Sequence, residues 1–496
     1  MFIFLLLMFS FSLNWIAENF NGVGFDEILF HLQVPLNGAG SYVSSYIRKV
    51  LLPAAGIIAE LLIAVFFIKV FLDMKPALRD KLKTVFRPLV SHSFIIGGLF
   101  IIIWFSAASW RAQNWFGLYD YVRSSLQHSS FFDQEYVDPA SVTITFPEKK
   151  RNLIYIIMES AETSSQDIQN GGLLESNLIP EMTEIAKENI SFSQSDLIEG
   201  AAVTPLSGWT MAGIFSESTG LPLRSYSVVK GSGKEFMPGV TSLGDLLEAE
   251  GYTNIFMCGS DAEFGGRKKY FADHGNYRIL DYYESIREGR IPGDYKVSWG
   301  FEDQKLYEWA KDELLELDKA GQPFNLTMLI VDTHAQDGYV CGLCRNEYAD
   351  QYRNVWMCAS RQIDEFISWC QKQDFYDNTT IVIAGDHCSM QTDFYQGYDF
   401  KIDTGEYKRK VYNAFINPGS ELANPETAVN RQFTTLDLYP SILAALGCEI
   451  EGEKLGLGVN LFSGEQTLSE QYGYEYLFQE IRKQSALYNK LMLGSE

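Results

Sequence analysis

Histidine is scarce in this chain: there are six in 496 residues, at 31, 92, 128, 274, 334 and 387. The first three fall in or near apolar N-terminal segments or the stretch just after them, so few imidazoles remain for chemistry in the rest of the chain. Basic residues are also short, 40 against 63 acids, which gives a formal net charge of −23. Nucleic-acid binders need a basic footprint, so that class is excluded. Cysteine is sparse and scattered, at 258, 341, 344, 358, 370, 388 and 448. The "CGLC" of 341–344 resembles half a zinc ribbon, but no second CxxC follows to complete one. In an extracytoplasmic setting one or two disulfides are the more natural use of such residues. Internal repeats and low-complexity tracts are absent.

Long apolar runs are confined to the first 110 residues. Residues 1–17 barely reach spanning length and lack the basic flank of a cleaved signal. They read as a short first span, or as a sign that the chain's true start lies upstream. Residues 51–72 are long enough to cross a bilayer, and 94–110 just long enough. Between these two runs lie Lys75, Arg79, Lys81, Lys83 and Arg87. A short basic loop stays cytoplasmic, so everything after Arg111 is expected outside. The predicted organisation is a membrane region at 1–111 with two or three transmembrane helices, and a juxtamembrane connector at 112–150. An extracytoplasmic catalytic domain follows at 151–465, then a C-terminal helical tail at 466–496.

From 151 onward, strand-like apolar runs alternate with amphipathic stretches. "NLIYIIME", "YTNIFMCG", "FNLTMLIVDTH" and "TTIVIAGDHCSM" read as strands. "IPEMTEIAKEN", "TSLGDLLEAE", "EDQKLYEWAKDELLEL" and "ASRQIDEFISWCQKQ" read as helices. This alternation predicts an α/β domain with a mostly parallel central sheet and helices on both faces. Ligands gather at the carboxyl ends of such strands. Three of the ends are polar: Glu159-Ser160, Asp332-Thr333-His334 and Asp386-His387.

Glu159 and Asp386 offer oxygen and His387 offers nitrogen, a mixed set suited to Mn²⁺ or Zn²⁺ and tolerant of Mg²⁺. A cation would also offset the cost of burying two carboxylates. "SGWTMAG" puts Thr210 at a predicted helix start, where backbone N–H groups and the helix dipole favour a phosphate. A threonine there is a nucleophile or simply a helix cap. Thr204 and Ser207 are rival hydroxyls. His334 is a candidate for substrate contact or proton donation to a leaving alcohol, and Arg267, in a Gly-rich loop, for clamping a phosphate.

Taken in order, "NLIYIIMES", "SGWTMAG", "LTMLIVDTHAQDGY" and "AGDHCSM" resemble the membrane-bound phosphoglycerol transferases. These form a lipoteichoic acid synthase-like group of the alkaline phosphatase and sulfatase superfamily. Within it, the enzymes that decorate periplasmic glucans are the nearest in pattern. "TSLGDLLEAEGY", "VSWGFEDQKLYEWA", "TTLDLYPSILAALG" and "LGLGVNLFSG" extend the likeness over about 150–465. The resemblance implies an alkaline phosphatase/sulfatase-like fold preceded by N-terminal transmembrane helices. It also implies one divalent cation, Mn²⁺ before Mg²⁺, held by Glu159, Thr210, Asp386 and His387.

By the same resemblance Thr210 would be the nucleophile and phosphatidylglycerol the donor, with diacylglycerol released. Glycerol phosphate would pass through a phospho-threonine intermediate to a hydroxyl of an envelope glycan or glycerophosphate polymer. His334, Arg267 and Asp261 would contact the head group. The enzyme would sit in the cell membrane, multi-pass, with its catalytic domain outside. The likeness further implies a Cys344–Cys358 disulfide, with Cys341 competing. Two departures stand out: Cys388 follows the Asp-His pair, and the Asp261-to-Arg267 spacing fits the pattern loosely. An arylsulfatase would need a Cys/Ser-x-Pro-x-Arg stretch, and "SGWTMAG" has neither the proline nor the arginine. A phosphoethanolamine transferase and a catalytically inactive membrane scaffold are the alternatives.

Overall fold

The strand Asn152–Met158 (β1) is buried at every residue because both of its faces are covered. Leu153, Tyr155 and Ile157 point into one hydrophobic cluster, while Ile154, Ile156 and Met158 point into a second on the opposite face. This is the period of two expected of a strand sandwiched between helix layers. Five more strands complete the sheet: Thr253–Cys258 (β2), Arg278–Leu280 (β3), Phe324–Ile330 (β4), Thr379–Gly385 (β5) and Asn413–Ile416 (β6). Their order is β3-β2-β4-β1-β5-β6, parallel except for β6, which runs antiparallel to β5. The short strands β3 and β6 carry too few apolar residues for their sequence to announce them.

This is a computed structural model, and it describes residues 2–20, 23–35, 40–91, 93–224, 235–395 and 409–494. The chain divides into two units, one of Met1–Phe25 with Ala39–Val122, the other of Asp26–Gly38 with Arg123–Glu496. In the first unit, the helical stretch Tyr42–Met74 is, among the described residues, the one helix long and apolar enough to cross a membrane. Ile3–Asn19 is a shorter apolar helix, and Ser93–Phe116 carries the third apolar run with Leu99, Phe100, Ile102 and Ile103 exposed. The basic segment between the last two runs is a helix, Pro76–Ser91, rather than a loop. Arg79, Lys83 and Arg87 recur every four residues, which is a helical spacing, and Pro76 opens the first turn.

The second unit holds the sheet. On one face lie Thr210–Thr219, Leu243–Ala249 and Leu438–Ala445; on the other lie Pro180–Glu188, Asp303–Ala320 and Gln351–Cys370. The stretch read as a connector contains the helices Leu118–Leu126 and Phe131–Glu135. Three short helices from Leu468 to Leu493 finish the chain. The topology also decides where chemistry can occur. β1 lies between β4 and β5, with Met158 beside both Ile330 and Gly385. Three strands far apart in sequence therefore end side by side, at 159, 331 and 386.

Candidate functional site

At those strand ends four side chains converge. Glu159 Oε1 is 3.2 Å from His387 Nε2, and Asp386 Oδ2 is 3.5 Å from the same nitrogen. The Thr210 hydroxyl donates to Glu159 Oε2 at 3.0 Å. Glu159, Asp386 and His387 are all buried. Thr210 is the first residue of its helix, Trp209 occupies the cap position, and no side chain caps that end. The cap reading of Thr210 is therefore set aside: its hydroxyl turns toward a carboxylate on another segment. Thr204 and Ser207, the rival hydroxyls, are bonded to each other at 2.8 Å.

The backbone around the cluster is shaped to aim these groups. Ser160 adopts φ +59°, an uncommon conformation for a non-glycine residue. In it the Ser160 N–H donates to Asp386 Oδ1 at 2.8 Å and its hydroxyl to Glu159 Oε1 at 3.0 Å. The His387 N–H donates to the same Asp386 oxygen at 2.8 Å. His387 Nδ1 lies 2.9 Å from the Cys388 carbonyl, which can only accept, so that nitrogen carries a proton and Nε2 is left facing the carboxylates. Glycine is required twice. A Cβ on Gly213 would come within 2.3 Å of the Asp386 carbonyl oxygen, and one on Gly385 within 1.8 Å of the Ala161 carbonyl oxygen. Behind the cluster, Glu162 accepts the Ser389 N–H at 2.9 Å and is paired with buried Arg409, which pins the loop after Asp386.

Burial would push the Glu159 carboxyl up, but His387, His334 and the hydrogen bonds from His387 and Thr210 hold it well below the usual range. Burial and the Glu159 charge push Asp386 up to about 7. Burial opposes charge on His387, yet Asp386 and Glu159 raise it to about 10. Without an ion, protons held on His387 and Asp386 offset the carboxylate charge, and a divalent cation bound at the same atoms would displace them. Asp386 Oδ2 is buried without a hydrogen-bond partner, which costs about 1–3 kcal/mol for an acceptor so placed. A cation is the partner that this oxygen, the Glu159 carboxylate and His387 Nε2 all accept. The three donor atoms lie within 4.8 Å of one another, a spacing that fits one metal ion.

His334 follows β4 and stands beside the site. Its Nδ1 faces the Ala335 carbonyl, and its ring lies 4.9 Å from that of Trp299. Thr333 ties the two strand ends together by donating to the Glu159 carbonyl at 2.6 Å. Asp332 serves structure: its N–H donates to Asp303 at 2.9 Å, and the Asp303 N–H returns the bond. Arg267 is buried and bonds to the Phe264 carbonyl, the Ser260 hydroxyl and the Asp261 carbonyl at 3.0, 3.1 and 2.8 Å. Asp261 accepts the Glu263 N–H at 2.9 Å. These bonds stay within the 260–267 loop and do not reach the four-residue cluster.

Two carboxylates escaped the sequence reading. Glu217, two turns along the helix from Thr210, is buried, accepts a hydrogen bond from the Tyr155 hydroxyl and is pushed up by burial. Glu27 lies on the helix Phe25–His31, which sequence reasoning assigned to the membrane region. Burial pushes its carboxyl up to about 8, with His387 drawing it down and Glu159 driving it further up. Its helix also brings His31 over Phe264, with ring centroids 5.8 Å apart, and Phe30 against Trp209 at 5.4 Å. His31, discounted as a membrane-region histidine, is held down to about 4 by burial and by His334. The only signal in "FDEILFH" was a charged pair between apolar runs.

The cysteines differ from expectation too. No disulfide joins Cys344 to Cys358; all seven cysteines are free, and Cys341 stands as the shared neighbour of the other two.

A family model described as Sulfatase matches residues 151–448. A phosphoglycerol transferase I of Xanthomonas axonopodis pv. citri is 28% identical over 461 residues, covering 90% of this chain and 58% of that protein. One of Salmonella choleraesuis is 29% identical over 469 residues, covering 92% and 55%. The chain therefore spans little more than half the length of these curated relatives. Among solved structures, the lipoteichoic acid synthase LtaP of Listeria monocytogenes is similar with a TM-score of 0.51 and 19% identity, over 65% of this chain and 79% of that one. The integral membrane phosphoethanolamine transferase EptA of Neisseria meningitidis is similar with a TM-score of 0.50 and 14% identity, over 90% and 84%. These two likenesses concern the fold.

Proposed function

Because this chain belongs to the sulfatase family, we propose that it transfers glycerol phosphate from phosphatidylglycerol to a hydroxyl of an envelope glycan or glycerophosphate polymer. The observation that carries the reading is the Thr210 hydroxyl held 3.0 Å from Glu159 beside the Asp386–His387 pair. The names of the relatives in Xanthomonas and Salmonella support phosphoglycerol as the group moved.

In this reading Thr210 Oγ1 attacks the phosphorus of the donor. The Oγ1–P bond forms, the bond from phosphorus to the diacylglycerol oxygen breaks, and the threonine proton ends on that leaving alcohol. An acceptor hydroxyl then forms its own bond to phosphorus, Thr210 leaves with a proton, and the enzyme is restored. Glu159, Thr210, Asp386 and His387 would hold one divalent cation, Mn²⁺ before Mg²⁺. When bound, such an ion supplies Lewis-acid stabilisation of charge on phosphoryl oxygens. Glu159 accepts a hydrogen bond from the Thr210 hydroxyl and so orients its oxygen for the attack. His334, beside the cluster, gives its proton to the leaving alcohol and is restored by the threonine proton, so one proton moves in all. Arg267 and Asp261 shape the loop against which the head group lies. The first 111 residues anchor the enzyme as a multi-pass protein of the cell membrane, with the catalytic unit outside.

Phosphoethanolamine transfer is the second reading, favoured by the fold likeness to EptA. Incubation with phosphatidylglycerol and phosphatidylethanolamine carrying different head-group labels separates the two. Label from phosphatidylglycerol in the acceptor, with diacylglycerol released, supports the first reading. Label from phosphatidylethanolamine alone overturns it.

A further inference from the structure

Three sulfurs outside the proposed reaction stand together. Cys341 Sγ is 3.7 Å from Cys344 Sγ and 3.8 Å from Cys358 Sγ, and all three lie within 4.8 Å of one another. Tetrahedral zinc, about 2.3 Å from each thiolate, sets neighbouring sulfurs about 3.8 Å apart. A disulfide would hold two of them at about 2.05 Å. The spacing is that of ligands around an ion.

The local chain builds the cluster in the way metal–thiolate sites are built. Cys341 and Cys344 sit in one turn, closed by the Cys344 N–H donating to the Cys341 carbonyl at 3.2 Å. Cys358 comes from the helix Gln351–Cys370 that follows. A second, independent feature is Gln362, one turn further along that helix and 6% exposed. Its Nε2 donates toward Cys358 Sγ at 3.4 Å and Cys341 Sγ at 3.8 Å, while its Oε1 is buried with no partner. An amide that turns its donors to sulfur and leaves its oxygen unsatisfied suits sulfur carrying negative charge. Cys341 and Cys358 are buried and Cys344 is half-buried, so the cluster is open on one side.

We propose that Cys341, Cys344 and Cys358 bind one thiolate-preferring divalent cation, with Zn²⁺ as the ion of first choice and solvent in the fourth position. The sulfur-bound protons leave to solvent as the ion binds. The ion fastens the segment 331–350, which carries His334, to the helix Gln351–Cys370. It is a structural clamp beside the reactive site and chemically distinct from it: three soft sulfurs against two carboxylates and an imidazole.

The test uses the full chain purified with reductant and stripped of metal by a chelator, then titrated with Co²⁺. We expect one equivalent to give a thiolate-to-metal charge-transfer absorption that C341S and C358S abolish and D386N leaves in place. In wild-type protein, Zn²⁺ should also slow alkylation of all three cysteines together, a readout that needs no variant to fold. The proposal is overturned by wild-type protein without the absorption, by its persistence in C341S, or by alkylation of the three cysteines at rates indifferent to Zn²⁺. It is equally overturned if peptide mapping of the chain as isolated from cells finds two of the three joined in a disulfide.

Discussion

Two clusters of ligand-type side chains lie past the carboxyl ends of neighbouring strands, and the chain builds them in opposite ways. Glu159, Thr210 and Asp386-His387 come from three distant segments: the pairing of β1 with β5 sets Glu159 beside Asp386-His387, and the helix Thr210–Thr219 brings Thr210 to Glu159. Cys341, Cys344 and Cys358 come from one stretch of chain and its following helix. The first is hard and embedded among hydrogen bonds from Ser160, His387 and Thr333. The second is soft, with one amide, that of Gln362, facing its sulfurs. Reaction chemistry belongs where the whole sheet fixes geometry, and a local clamp belongs where a single loop must be held.

The sharpest way to break this contrast is Thr210→Ala. Transfer should fall on the order of ten-thousand-fold, as when a covalent nucleophile is removed, while circular dichroism and melting stay unchanged. Retained transfer would remove Thr210 from the reaction. Asp386→Asn comes next. It should weaken Mn²⁺ binding in calorimetry by more than the roughly 10–100-fold that a partner behind the ligands costs, with activity falling in step. An unaltered Mn²⁺ isotherm would break the ligand assignment.

Gly213→Ala probes the packing beneath the hard cluster, since its Cβ would lie 2.3 Å from the Asp386 carbonyl oxygen. The expected loss is about 1–3 kcal/mol of stability, the usual cost of overpacking, read by thermal melting with Mn²⁺ affinity reduced alongside. A wild-type melting curve would show that the helix can shift freely there. Ser160→Gly keeps the positive φ and the N–H donated to Asp386 but loses the hydroxyl on Glu159. The loss of one side-chain hydrogen bond, about 1 kcal/mol, predicts a drop in kcat/KM of roughly fivefold. The smallest effect on transfer is expected at the soft cluster: Cys344→Ser removes a ligand of the clamp and no reacting group, so the cost falls on stability, read by melting with Zn²⁺ present, and transfer changes by no more than about twofold. A large loss there would make the thiols part of the reaction and dissolve the distinction between the two clusters.

Legibility followed the same division. The core strands could be read because each is a continuous apolar run ending on a polar residue, as in "NLIYIIMES". β3 and β6 could not, being short and defined by neighbours rather than composition. For Thr210, nucleophile and helix cap share one local sequence, and what argues against the cap is a contact with Glu159, 51 residues away. The spacing of the thiols was visible, but the resemblance implied a bridge where the sulfurs instead stand apart around Cys341. Glu27 and His31 went unread because docking of their helix against Trp209 and Phe264 is tertiary information. A short polar break between apolar runs says nothing of where it packs.

The most direct measurement of the central claim is tandem mass spectrometry of the enzyme quenched during turnover of phosphatidylglycerol without acceptor. The account predicts one glycerophosphoryl group, carried on the side-chain oxygen of Thr210. An adduct on Thr204 or Ser207, or turnover with no adduct at any residue, would contradict it.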